Sequence, residues 1–417
     1  MKTRIAIAGT GTRALNFADG ILNRCSEHSE LVGLYDLNPV RMEGFCRLIG
    51  RQVPSFTDFA EMVRTARPET LVVCTTDRTH PELIEMAFAH GLNAIVEKPM
   101  AMNREGIERI RRAEQKFSRK VTVTFNMRFA PYSAAIKEVL LEKPVGEIFT
   151  VSAEWFIDRT HGTEYFHRWH NRMCNGGGLL VHKATHNFDL LNWFLDAVPS
   201  EVFAWGRLSQ FGKAGKFHGP RCRDCDYREQ CPASMKSTLD DSDLNPGSDG
   251  DIFKSLYFNA ESQDGYLRDQ CCFDPKIDIY DTMNALIKYR NGIQVSYALN
   301  AYSAWQGYRI TFTGETGVIE VGTVNNSTRP ADYTVPDTIR IVNGTTRKNV
   351  TMREINMAEN TTPHGGGDYA MFEHLFGKPD GDPLGQTAGF DAGAASALIG
   401  ISANESIQSG LPVKTGL

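Results

Sequence analysis

Hydrophobic positions fall into two regimes along the chain. In the first third, short unbroken apolar runs at 4–8, 31–35, 70–74 and 93–96 alternate with stretches of helical period at 15–24, 56–65, 81–90 and 103–117. Unbroken runs set between helices predict strands buried on both faces, hence a parallel sheet. The run at 120–125 closes this region. Beyond it the runs lengthen, at 147–158, 201–208, 279–290, 292–301 and 308–313, and the segments between them shorten. Asn291-Gly292 is a two-residue hairpin turn and Gly314 to Gly317 a second tight reversal, so these strands read as antiparallel. An Ala- and Ile-rich helix over 389–409 is expected to pack back on the first region. The pattern predicts an α/β domain over 1–124 and an α+β domain over 125–417.

At 417 residues two domains are the natural expectation. A net charge of −5 argues against a nucleic-acid-binding surface. No apolar run is long enough to span a membrane, and the N-terminal run is too short for a signal peptide, so a cytoplasmic protein is expected.

Candidate chemistry begins at the first strand. Gly9-Thr10-Gly11-Thr12-Arg13-Ala14 follows it at once, in the G-x-G-x-x-A spacing of a strand–turn–helix that seats a pyrophosphate at the helix start. Asp36 ends the second strand, where a carboxylate meets the ribose hydroxyls and repels a 2′-phosphate. NAD is therefore expected over NADP, with Arg41 nearby as the opposing signal. The loop Thr75-Thr76-Asp77-Arg78-Thr79-His80 and the segment Glu97-Lys98-Pro99 lie at carboxyl ends of strands, where open α/β sheets bind ligands.

In the second region, Gly176-Gly177-Gly178 precede His182, Lys183, His186, Asp189 and Trp193. The spacing of the two histidines, Asp189 and Trp193 predicts one helix carrying all four on one face. Upstream, Arg168 and Trp169 sit in a stretch dense in aromatics and histidines, a composition suited to a sugar ring. Residues 209–270 read as an insertion that something must hold. Cys222-x-x-Cys225-x5-Cys231, with Cys271 as a fourth ligand, is a candidate structural zinc clamp; free or disulfide-bonded cysteines are the other reading.

The glycine loop, Asp36, the 75–80 loop, Glu97-Lys98-Pro99, Asn126-Met127-Arg128-Phe129, the three-glycine stretch and His364-Gly-Gly-Gly-Asp368 together resemble the Gfo/Idh/MocA superfamily over nearly the whole chain. The resemblance implies a Rossmann dinucleotide-binding domain followed by an α+β domain with a large open, mostly antiparallel sheet, often used for homo-oligomerisation. It adds Thr75, Thr76, His80, Glu97 and Arg128 to the cofactor-binding set formed by residues 9–13 and Asp36. It also implies Lys98 and His186 as the catalytic pair. Residue chemistry agrees: a base must take a hydroxyl proton while a cation steadies the alkoxide, and His186 and Lys98 suit those tasks. Many family dehydrogenases have an Asp where this chain has His182. With Lys183 it is expected to tune the site or contact substrate. The expected activity is NAD-dependent hydride transfer to or from a secondary alcohol of a sugar or sugar derivative. The alternatives are redox-neutral, NAD-dependent glycoside hydrolysis and a non-catalytic dinucleotide or sugar sensor.

Overall fold

The computed structural model describes residues 2–216, 218–241, 247–324, 338–346, 349–357, 363–378 and 381–417, and structural statements refer to these. Two sheets organise the chain. The first has six strands, β1 (Thr3–Ala8), β2 (Ser29–Tyr35), β3 (Ser55–Phe56), β4 (Thr70–Val73), β5 (Asn93–Val96) and β6 (Val121–Val123), in the order β3-β2-β1-β4-β5-β6. All its pairings are parallel. The order reverses between β1 and β4, and ligands in such sheets bind outside the strand ends at that point. Residues 5–8 and 70–73 are buried, as the unbroken apolar runs require.

The second sheet has nine strands: β7 (Ile148–Asp158), β8 (Pro199–Arg207), β9 (Thr282–Tyr289), β10 (Gln294–Ser303), β11 (Gly307–Gly314), β12 (Gly317–Val324), β13 (Thr338–Asn343), β14 (Thr351–Asn356) and β15 (Val413–Lys414). Their order is β14-β13-β12-β11-β7-β10-β9-β8-β15, antiparallel except for the β7–β10 pair. The sheet is therefore large and mostly antiparallel, as expected. β9 alternates strictly: Met283, Ala285, Ile287 and Tyr289 are buried, while Asn284, Leu286 and Lys288 are exposed. One face thus carries a core, to which Phe188, Leu190, Leu191 and Phe194 of the helix Thr185–Leu195 contribute.

The helix Phe390–Ser409 joins the two halves. Its Ala394, Ala397 and Leu398 enter the core beneath the first sheet, while Ile399 and Ala403 enter that of the second. A Cβ at Gly400 would lie 2.2 Å from the Leu180 carbonyl oxygen, so only glycine lets this helix close on the backbone of Leu179–His182. Just before it, Ala388 accepts a hydrogen bond from Val123 N on β6 at 2.8 Å. The helix is a splint holding the three-glycine stretch against the carboxyl end of the parallel sheet.

Candidate active site

The glycine loop has the shape its spacing predicts. Gly9 has φ +86°, and a Cβ there would lie 2.8 Å from the Cys74 carbonyl carbon, so the turn admits no side chain. The helix Thr12–Asp19 starts at Gly11 with no side-chain cap from that residue, and its positive end favours an anion there. Asp36 ends β2 and accepts bonds from Thr10 N and Thr10 Oγ1, both at 2.8 Å, and from Asn38 N at 3.0 Å. An ionised carboxylate has about four acceptor sites, so capacity remains for a ribose. Arg41 Nη1 stands 3.6 Å from Asp36. This cradle suits a dinucleotide.

Around it the expected residues are fixed by one another. Arg13 bridges Glu97 at 2.7 Å and Asp368 at 2.8 Å; burial works against its charge, but the two carboxylates more than offset it. His80 is buried and joins Pro99 O at 2.8 Å to Thr75 O at 3.2 Å, tying the 75–80 loop to the Glu97-Lys98-Pro99 segment. Thr79 Oγ1 donates to Thr75 Oγ1 at 2.7 Å, and Thr76 precedes the turn Asp77–Thr79. The side chain of His364 lies outside the described residues.

The three-glycine stretch is not the start of one long helix. Gly177 and Gly178 have φ of +70° and +71°, and the chain forms a single turn at Leu179–His182 before the helix Thr185–Leu195. That break corrects the expectation of one face shared by His182, His186, Asp189 and Trp193. The lower part of the second helix is structural. Asp189 receives both Arg128 Nε and Nη2, at 2.7 and 2.6 Å, and Trp193 Nε1 donates to Leu384 O. Arg128, expected beside the cofactor, spends its remaining Nη1 on Gly385 O. Such a buried bidentate pair is a clamp between elements rather than a free cation. His186 is buried, with its ring edge-on to Phe125 at 6.2 Å.

His182, set apart by the break, meets Asp77 from the first sheet, with Nδ1 at 2.6 Å from Oδ2. Gly176 makes room for this contact: a Cβ there would sit 3.2 Å from both Asp77 Oδ2 and the Trp169 ring. Lys98 Nζ donates to the His182 carbonyl at 3.2 Å. Two half-buried lysines, Lys98 and Lys183, come within electrostatic reach of each other here. Burial, then the neighbouring Lys98, pushes the Lys183 amine down to about 7. Burial also lowers Lys98, against the pull of Glu97 and Asp77. Burial lifts the Asp77 carboxyl well above the usual range, and burial with Lys98 and Arg168 holds His182 neutral. Trp169 and His170 pack on His182, with centroids 5.5 and 4.3 Å away. The structure thus gathers Lys98, His182, Lys183, Trp169 and Asp77. Asp77 was absent from the expected site, although its place just beyond a strand's carboxyl end was the available signal.

The insertion supplies further residues that no motif announces. The Tyr257 hydroxyl receives Thr12 N at 3.0 Å, at the head of the pyrophosphate helix. Asn38 Nδ2 donates to Ala260 O and Asp264, and Arg41 to Leu256 O and Asp264. Gly44 lets the insertion's backbone approach: a Cβ there would lie 2.4 Å from Ser255 O. The insertion is therefore held by packing on the first domain and by Arg221, which pairs with Asp269 and Glu261. Cys222, Cys225, Cys231, Cys271 and Cys272 line one small cavity with His167, and all are free thiols. Among the described residues no three His, Cys, Asp or Glu side chains form a set that could hold a metal ion, so the expected zinc clamp finds no support. Among these residues, too, no helix is long and apolar enough to cross a membrane.

Comparison with known proteins places this architecture. The profile of an oxidoreductase family's NAD-binding Rossmann fold matches residues 3–125, and that of the same family's C-terminal alpha/beta domain matches residues 137–415. The chain is 34% identical to the Bacillus subtilis (strain 168) protein YteT, assigned only as an oxidoreductase, over 95% of this chain and 94% of that one. It is 25% identical to an inositol 2-dehydrogenase of Rubrobacter xylanophilus over 48% of this chain and 55% of the relative. In fold it is similar to the WlbA dehydrogenase of Bordetella pertussis, solved with NADH and UDP-GlcNAcA, with a TM-score of 0.66, 19% identity and full coverage of both chains. With both halves matched, and a glycine loop of dinucleotide-binding shape at the switch point of its parallel sheet, the chain belongs to the Gfo/Idh/MocA family of oxidoreductases.

Proposed function

We propose that this is a cytoplasmic, NAD-dependent oxidoreductase that moves a hydride between nicotinamide and a secondary alcohol of a sugar or sugar derivative. The observation that carries this reading is Lys98 held on the His182 carbonyl beside Asp77, at the carboxyl end of the parallel sheet and within electrostatic reach of Lys183. The bound nicotinamide would supply the hydride acceptor or donor. Two amines desolvated together resist carrying two charges. Lys183, down at about 7, is the partner that holds a free lone pair near neutrality and can take the hydroxyl proton. Lys98, with Glu97 and Asp77 nearby, remains the cation that steadies the alkoxide. His182, held neutral against Asp77, fixes the Lys98 amine through its own carbonyl. His186, buried against Phe125, is a second base candidate, and Arg168 and Trp169 are the proposed sugar contacts. Asp36 at the end of β2 favours NAD over NADP.

The test is a polyol and sugar panel with the nucleotide that copurifies, read as formation of reduced nicotinamide. Lys98→Ala and Lys183→Met should each lower kcat by about a hundredfold or more; unchanged turnover in both would end this assignment. A second reading, redox-neutral glycoside hydrolysis with retained NAD, is favoured by one observation: the insertion lies over the glycine loop through Tyr257. Release of an aglycone with no net change in nicotinamide would select it.

A further inference from the structure

Next to the amine pair lies a cluster of two arginines and a histidine whose hydrogen-bonding capacity is only partly used within the protein. Arg268 is 3% exposed; one terminal nitrogen pairs with Glu164, while Nε and Nη1 are buried without partners. Arg168 Nε is likewise buried and unpartnered. His170, 2% exposed, leaves Nδ1 unpartnered. Buried polar atoms without partners are rare and costly, and two arginines and a histidine in electrostatic reach of one another that share the defect ask for a common partner.

The charge balance agrees. Arg168 lies within electrostatic reach of Lys98 and His182 on one side and of Tyr257 and Glu164 on the other. Glu164 is taken by Arg268, Glu97 by Arg13 and Asp77 by His182. These three carboxylates are therefore engaged elsewhere, Asp158 lies toward Lys183, and Arg168 is left as a cation with no carboxylate paired to it. Neutral sugar hydroxyls would neither balance that charge nor use planar guanidinium forks, whereas a carboxylate does both.

We propose that the substrate is an acidic sugar, a uronic acid or a glycoside carrying one, whose carboxylate is received by Arg168 and Arg268 with His170 alongside. This rests on the reading of the neighbouring amine pair as the catalytic site. The carboxylate would lie against the two arginines, which turns a ring hydroxyl toward Lys98 and Lys183.

Binding separates this proposal from that reading. Isothermal titration of the NAD-loaded protein with glucuronate, galacturonate and the matching neutral hexoses should show saturable binding of a uronate at least about thirtyfold tighter than that of its neutral partner. Arg168→Gln should shrink that ratio toward unity, and Arg168→Lys should restore part of it. A thermal melt on each variant separates loss of the carboxylate contact from loss of fold. Uronate binding without turnover would overturn the proposed reaction and leave the acidic-sugar site standing. Equal affinity for acid and neutral sugars, or a loss in Arg168→Gln that falls on NAD affinity alone, would overturn the acidic-sugar site.

Discussion

A lysine held down at about 7 by burial and by a second lysine weakens the fold at lower pH. In the unfolded chain its amine titrates near 10.4. The folded value is lower, so the unfolded state binds more protons between the two, and stability rises with pH across that window. Lys183→Met should therefore raise the melting temperature, most of all below about 7, with the gain fading toward about 10.4; pH-resolved melts of both proteins check this. The same variant should lose the acidic limb of the pH–rate profile for alcohol oxidation, if Lys183 must shed its proton to act. Gly176→Ala is a second residue-scale case. Its Cβ would press on Asp77 and Trp169, so kcat should fall about tenfold or more with a smaller change in stability. Residues of this kind were partly legible: Lys98 and Lys183 stand in recognisable motifs. The partnership of Asp77 with His182 was not, because it joins loops far apart in sequence.

At the scale of elements, the insertion shows where pattern reading stops. Periodicity located the parallel strands other than the two-residue β3, and the helix Arg104–Phe117, within a residue or two, since burial on both faces and an amphipathic stripe leave direct marks; Phe56 of β3 read instead as the start of a helix. It also read a single helix through His182 to Trp193. The break at Lys183 and Ala184 follows the turn at Gly177 and Gly178 and the close approach of Gly400 to Leu180 and Val181, a long-range contact that no local pattern records. Within 209–270, Cys spacing drew the eye to a metal, whereas packing against Asn38, Arg41 and Gly44 holds the segment. Tyr257→Phe removes the hydroxyl that receives Thr12 N, and bound nucleotide should then dissociate several-fold faster, read by stopped-flow fluorescence.

Across the whole molecule, the face of the nine-stranded sheet opposite its core carries Trp205, 59% exposed, near Leu286, 50% exposed, with Phe203 packed on Trp205. Large apolar side chains on an open sheet face mark an interaction surface, and the proposed occupant is a second copy of the chain. Trp205→Glu should shift the sedimentation coefficient to that of a smaller species without changing the melt of the isolated fold. The helix Phe390–Ser409 has a different consequence, for synthesis. β6 receives its outer partner at Ala388, and the core beneath the first sheet takes Ala394 and Ala397 from the same late segment. The dinucleotide half emerging from a ribosome thus lacks one edge contact and part of its interior until nearly the entire chain has followed. During that interval its apolar underside is an opening for chaperones and a hazard for aggregation. A fragment ending at 124 should then be recovered largely as insoluble protein, and adding the 385–410 segment in trans should improve its solubility.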